Sequence, residues 1–326
     1  MLCIRSKTSD PAFNIATEEY LLKHMDEDCF YLYINSPCII VGKHQNSLAE
    51  INIDHVKQND IKVIRRLSGG GAVFHDPGNL NFTFIKKEEH SKTVDFKKYT
   101  QPILDVLQAL GVDAKFEGRN DLSIAGKKFS GNAKHFYKGK ILQHGTLLFS
   151  SKLPDLSAAL KVNPLKFQDK SVKSVRSRVT NISEHLPYQI SLKEFEDRII
   201  THVRNMYKDS ISYELSKKDI AGIDKLVKDK YASWDWNFGT SPQYNFQKGI
   251  KTPGGHIEIN LEVNKGKILK AKIFGDFFNI KNISELEDHL IGLPHNIDHI
   301  RQELEKLGLE NYISNVSADD FLEALF

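Results

Sequence analysis

Apolar positions along the 326-residue chain fall mostly into short alternating runs separated by glycine-rich turns, with a few stretches at helical spacing. Residues 14–22 carry Ile15, Tyr20, Leu21 and Leu22 and predict a helix; residues 30–34 alternate like a strand. Residues 61–64, 72–74 and 80–85 read as short strands, the last with Leu80, Phe82 and Phe84 on one face. They are punctuated by Gly69, Gly70 and Gly71 and by the turn formers Asp76, Pro77, Gly78 and Asn79.

Pro102 is placed at a first helical position, followed by the stripe Ile103, Leu104, Val106, Leu107, Leu110 and a C-terminal cap at Gly111. Two hairpins are expected to turn near Ala125-Gly126 and Lys138-Gly139. Residues 164–180 are rich in Lys, Arg and Ser with little apolar periodicity, which predicts a mobile loop long enough to act as a lid. Ser191 with Glu194 starts one further helix, and another is expected from Lys218 to Tyr231.

After the aromatic, turn-forming stretch WDWNFGTSPQYNFQKG a second unit is expected, which divides the chain into domains 1–247 and 248–326. In that unit Ile257, Ile259, Leu261 and Val263 alternate with polar residues, and Asn264-Lys265-Gly266 turns the chain into a returning strand. Helices with capping boxes at Ser284/Glu287 and Ser317/Asp320 complete it. The fold class is therefore α+β.

Composition narrows the function. Lys and Arg total 45 against 42 Asp and Glu, so the net charge of +3 gives no general nucleic-acid-binding surface. No stretch reaches membrane-spanning length and no leader pattern is present, so a cytoplasmic protein is expected. The three cysteines, Cys3, Cys29 and Cys38, form no CxxC pair and fit a reducing compartment. His295 and His299 stand four apart, but with no third ligand near they are read as part of a solvated helix face, and no metal site is assigned.

Chemistry concentrates in two segments. In RRLSGGGAVFHDPGN, three consecutive glycines follow Arg65, Arg66 and Ser68; such a run suits a backbone that passes close to a ligand and turns its N–H groups toward phosphate or carboxylate oxygens. Neither a GxxxxGK[ST] loop nor a GxGxxG turn is present. Either arginine could clamp an oxyanion. His75-Asp76 looks like a catalytic pair, although turn chemistry already accounts for Asp76. In GRNDLSIAGKKFSGNA, Lys127 and Lys128 follow a hairpin turn. A lysine there could stabilise the charge that builds up when a carboxylate attacks an α-phosphate, though a solvated turn explains the pair equally well on its own.

The segments VGKHQN, RRLSGGGAVFHDPGNLNFTF, GRNDL, KKFSGNA, HGTLL and SVRSRVTN, taken in order and spacing, closely resemble the bacterial lipoate-protein ligase A family, and the resemblance spans nearly the whole chain. It implies a biotin/lipoyl ligase-like catalytic domain with β-sheets flanked by helices, and a small α+β accessory domain. It further implies ATP with Mg2+, lipoate as substrate, and apo lipoyl domains of 2-oxoacid dehydrogenase complexes and the glycine cleavage H protein as partners. By motif, Lys128 matches the family's essential lysine, contacting both ATP and lipoate. Arg66, Gly71, Ala72, Val73, Phe74, Ser174 and Arg176 match nucleotide- or adenylate-binding positions. Arg65, Ser68, Gly69, Gly70, Gly71, His75 and His144 match the lipoate side. Leu67 stands where some relatives carry another Arg. Within the same fold, a cysteine-dependent octanoyl or lipoyl transferase is the nearest alternative; it lacks a candidate nucleophile here, because all three cysteines precede the glycine loop. A biotin ligase and a non-catalytic lipoate-binding protein are further alternatives, the latter disfavoured by Lys128.

Overall fold

The computed structural model describes residues 1–88, 96–153, 159–160, 167–169, 179–241, 243–275, 281–313 and 315–326. The chain forms two compact units. The first comprises residues 1–43, 55–160 and 173–233, the second residues 44–54, 161–172 and 234–326.

In chain order the strands are β1 (Leu2–Arg5), β2 (Cys29–Ile34), β3 (Cys38–Val41), β4 (Lys62–Arg65), β5 (Val73–His75), β6 (Asn79–Lys87), β7 (Ala114–Glu117), β8 (Asp121–Ile124), β9 (Lys127–Tyr137), β10 (Lys140–Leu148), β11 (Phe167–Asp169), β12 (Ile211–Ser212), β13 (Tyr244–Thr252), β14 (Gly255–Asn264) and β15 (Lys267–Gly275). The first unit is built on an eight-stranded sheet ordered β12-β1-β2-β6-β10-β9-β8-β7, beside a three-stranded sheet β4-β3-β5. The hairpins are as expected: Ala125 and Gly126, then Lys138 and Gly139, all take positive φ, the backbone a two-residue turn between twisted strands requires.

Phe30, Leu32, Leu80, Phe82, Phe84 and Leu147 gather on one face with Ile103 and Leu107 of the helix Lys97–Ala109 and with Phe195, Ile199 and Val203 of the helix Leu192–Met206. Burial of these side chains drives the layer together, each contributing about 1.5–3 kcal/mol. The helix Pro11–His24 is buried along most of its length, including the polar Asn14, Thr17, Glu18 and Glu19.

The helix expected to begin at Pro102 begins instead at Lys97, with Pro102 inside it. Five residues N-terminal to the proline were missed because Lys97 to Gln101 offer few apolar positions; Tyr99 and Thr100 are nevertheless buried. Gly111 ends the helix as expected, at φ +81°.

In the second unit, the sheet β11-β13-β14-β15 buries Ile257, Ile259, Leu261 and Val263 against the helices Ile283–Leu290, Ile297–Leu307 and Ala318–Leu325. Strand β13 was not expected: its Gln, Asn, Lys and Gly residues read as turn formers, yet Tyr244 and Phe246 anchor it to the core. The Ser317/Asp320 capping box forms. The one expected at Ser284/Glu287 does not; Asn282 caps that helix, and Glu287 binds Lys272 and the Ile273 N–H. His295 likewise departs from a solvated helix face. It precedes the helix and is 1% exposed, between the Tyr244 hydroxyl at 2.6 Å and the Leu325 carbonyl at 2.7 Å.

Candidate active site

Strands β2, β6 and β10 lie side by side, and their pleat sorts side chains onto two faces. Phe30, Leu32, Leu80, Phe82, Phe84 and Leu147 face the helical layer, so Tyr31, Thr83 and His144, which stand opposite one another in register, face the other way. There the helix Pro11–His24 contributes Glu18.

The Glu18 carboxylate accepts from the Tyr33 hydroxyl at 3.0 Å, the Thr83 hydroxyl at 2.5 Å and His144 Nδ1 at 2.8 Å. The other ring nitrogen of His144, Nε2, lies 2.6 Å from the Ser68 Oγ. Ser68 Oγ in turn accepts from Arg66 Nε at 3.1 Å. Arg66 completes the arrangement by donating to the carbonyls of Ile40 at 3.1 Å and of Gly69 and Gly71 at 2.7 Å each. A hydrogen-bonded chain thus runs from a helix through a sheet histidine into the glycine loop.

This arrangement explains the glycines. The loop wraps around a guanidinium, and Gly70 takes φ +90°; a Cβ there would stand 3.1 Å from Arg66 Nη2. Burial lowers Arg66 to about 10, opposed by the charge of Glu18. Glu, His and Ser occur in the order of an acyl-transfer triad, but Ser68 is 1% exposed and its oxygen already accepts from Arg66. The serine is a link in the frame rather than a nucleophile.

Lys128 lies near the start of β9. Register slips between Leu122 and Ser123 of β8: Leu122 faces Ser130, Ser123 faces Lys128, and Phe129 is the extra residue. Phe129 enters the core, so the bulge brings Lys128 and Gly131 onto one face, the face to which His144 points from β10 through its partner Ala133. The Lys128 ammonium lies 2.8 Å from Asp121 Oδ1, both groups about one-third exposed. Its backbone carbonyl accepts from the Thr180 N–H at 2.9 Å. Lys127 is exposed.

The remaining candidates are distributed around this frame. Arg65 is fully buried and donates to the carbonyls of Gly42 and Lys43; burial and the charge of Arg66 lower it to about 10. Ala72 and Phe74 are buried, Val73 half-buried, and Phe74 pairs with Ile39 across β3. His75 is 3% exposed, with Nδ1 3.0 Å from the Asn35 amide nitrogen. Burial, together with the charges of Arg66 and His144, lowers it to about 3. Ser174 and Arg176, and the expected lid apart from Phe167–Asp169 and residues 179–180, lie outside the described residues. Phe167–Asp169 form a strand against β13 instead of loop.

Residues 10–204 match the family model of the lipoyl protein ligase A/B catalytic domain, and residues 241–325 match that of the bacterial lipoate protein ligase C-terminus. The chain belongs to the lipoate-protein ligase family. Among members of that family, it is 44% identical to the lipoate-protein ligase LplJ of Bacillus subtilis, over 98% of this chain and 97% of that one. It is 42% identical to lipoate-protein ligase 1 of Staphylococcus aureus, over 97% of each chain. A solved ligase-family structure, Plasmodium falciparum LipL1 in complex with lipoate, aligns over 99% of this chain and 97% of its own with a TM-score of 0.62 and 26% identity.

Four residues around this candidate site were given no role in the sequence reading: Glu18, Asn35, Asp121 and Gly131. Glu18 and Glu19 carried a weak signal, two adjacent acids within an apolar helical run; Asp121 and Gly131 stood within the segments GRNDL and KKFSGNA, but their placement beside Lys128 across a bulge is not legible there, and Asn35 carried no signal, since it matters through a contact made far along the chain. The cysteines do not supply a nucleophile. Cys3, Cys29 and Cys38 are all buried, and burial raises each thiol, Cys29 to about 12.

Proposed function

We propose that the chain is an ATP-dependent lipoate-protein ligase that works in two half-reactions. In the first, a lipoate carboxylate oxygen forms a bond to the α-phosphorus of ATP as the bond to pyrophosphate breaks. In the second, the amine of an acceptor lysine attacks the carbonyl of the mixed anhydride, AMP leaves, and the amine loses a proton. The observation that carries this reading is the 44% identity, over 98% of the chain, to a protein named as a lipoate-protein ligase.

Lys128 is assigned as the catalytic residue: its ammonium neutralises the approach of two anions and the charge that accumulates on the phosphoryl oxygens. Gly71, Ala72, Val73, Phe74, Ser174 and Arg176 are assigned to the nucleotide and adenylate, with Arg66 shaping the loop that meets it. Arg65, Ser68, Gly69, Gly70, His75 and His144 are assigned to the lipoate side. Among the described residues no group of three or more His, Cys, Asp or Glu side chains is placed to hold a metal ion. Mg2+ would enter on the phosphates of ATP.

Residues 1–247 are assigned to the catalytic domain and 248–326 to the accessory domain. The acceptors are apo lipoyl domains of 2-oxoacid dehydrogenase complexes and the glycine cleavage H protein. One solved structure that aligns over 73% of this chain, with a TM-score of 0.63 and 28% identity, is an archaeal bipartite lipoate protein ligase described together with its E2 lipoyl domain. No described helix is long and apolar enough to cross a membrane, and the cytoplasm is the proposed compartment because unpaired thiols fit reducing conditions. The test is intact-mass spectrometry of each apo acceptor after incubation with the chain, ATP, Mg2+ and lipoate. One lipoyl group on one lysine is expected, and an unmodified acceptor in every case would refute the reading.

A further inference from the structure

His75 is held from outside the site by a relay of two asparagines whose orientations follow from their partners. Asn14 Nδ2 faces two backbone carbonyls, of Thr8 and Ile34, both at 3.2 Å, so the nitrogen must be on that side. Its Oδ1 then accepts from the Ser6 hydroxyl at 2.6 Å and the Tyr31 hydroxyl at 2.8 Å. Asn14 Nδ2 also meets the Asn35 side chain at 2.8 Å, which makes that Asn35 atom the oxygen. The Asn35 nitrogen therefore points at His75 Nδ1, 3.0 Å away, and donates to it.

An Nδ1 that accepts leaves the ring hydrogen on Nε2. That atom is buried and has no hydrogen-bond partner among the described residues. Buried donors without acceptors are rare and costly, and one kept in a native fold calls for an acceptor supplied from elsewhere. The groups whose charges act on the ring, Arg66 and His144, are both engaged in the Glu18-His144-Ser68-Arg66 chain. An acceptor supplied by the substrate completes the set, and among ligase substrates a carboxylate oxygen is suited to a neutral N–H donor.

We infer that Asn35 is a positioning residue: it fixes His75 as the Nε2–H tautomer and so presents a neutral hydrogen-bond donor to an oxygen of the acid substrate. The inference rests on the ligase reading of this site. Asn35 does not touch the substrate; it acts through the ring. Its partner Asn14 makes the arrangement self-consistent, because reversing either amide would set two donors or two acceptors against each other.

The test uses the full chain with 15N-labelled histidine and long-range proton–nitrogen spectra at neutral pH. Wild-type His75 is expected to carry its hydrogen on Nε2, and that signal is expected to move downfield when lipoate alone is added. His75→Gln, which can place an amide N–H at the Nε2 position, should keep the lipoate KM within about 3-fold, whereas His75→Asn, which reaches only the Nδ1 position, should raise it about 10-fold or more. Asn35→Leu, folded by circular dichroism, should raise lipoate KM about 10-fold with kcat changed much less. A hydrogen on Nδ1, a charged ring, an Nε2 signal indifferent to bound lipoate, or equal kinetics for the Gln and Asn variants would overturn the proposal while the ligase reading stood. Failure of the wild-type chain to bind lipoate at all would bring down both.

Discussion

The ammonium of Lys128 stands 2.8 Å from the carboxylate of Asp121, across a hairpin whose turn is only two residues long. The pair is about one-third exposed, so its worth to stability is small; its consequence is orientation, since a flexible four-carbon stem is held where a substrate anion can meet the charge. Asp121→Asn is expected to leave the melting temperature nearly unchanged and to lower the rate of lipoate adenylation about 10-fold, the scale of one lost charge-assisted hydrogen bond. Equal rates for the variant and the wild type would show that Lys128 needs no such tether.

Gly131 tests the same geometry from the other side. A Cβ at this position would stand 3.1 Å from both Cε and Nζ of Lys128, and both atoms belong to the mobile end of a side chain. Gly131→Ala should therefore cost little stability but displace the ammonium, reducing adenylation about 10-fold. Thermal melting and single-turnover kinetics separate the two effects; a variant that melts early but keeps its rate per folded molecule would contradict this account.

At Gly70 the strain and the site coincide. Positive φ and the approach to Arg66 Nη2 make any side chain costly, and Gly70→Val is expected to lose about 1–3 kcal/mol of stability and to raise the lipoate KM at least about 10-fold. Denaturant unfolding with steady-state kinetics on the folded fraction checks both, and near-normal KM would reduce the loop to a turn.

Much of the fold was legible because alternation and turn chemistry agree locally: β6 and both hairpins follow from Leu80, Phe82 and Phe84 and from Ala125-Gly126 and Lys138-Gly139. The first helix was legible only in part. Its buried polar residues look out of place until Thr83, Tyr33 and His144 meet Glu18. Strand β13 and the Lys97 start of the later helix were obscured because tertiary packing of Tyr244, Phe246 and Tyr99 outweighs local propensity. In the site, Lys128, Ser68 and His144 were reached through motif resemblance. The bonds linking His144 to Glu18 and His75 to Asn35 join residues 126 and 40 positions apart, which no local pattern encodes.

Stability should fall in mild acid. Burial lowers His75 to about 3 and His295 to about 4, whereas histidine in the unfolded chain titrates near 6.5. Between those values the unfolded chain binds more protons, so stability rises with pH across the window and is lost as pH drops below about 6.5. From pH 7 to 5, one such histidine accounts for about 2 kcal/mol. His295→Gln should lose correspondingly less stability over that interval than the wild type in denaturant titrations; identical losses would mean that His295 is not held neutral.

The most direct test of the ligase mechanism is the lipoate-dependent release of pyrophosphate from ATP by the wild type, Lys128→Ala and Lys127→Ala. The account predicts that the wild type releases pyrophosphate only when lipoate is present, that Lys127→Ala does so at a comparable rate, and that Lys128→Ala, folded by circular dichroism, falls by about 100-fold or more. Release without lipoate, ADP as the product, or a Lys128→Ala variant as active as the wild type would contradict it.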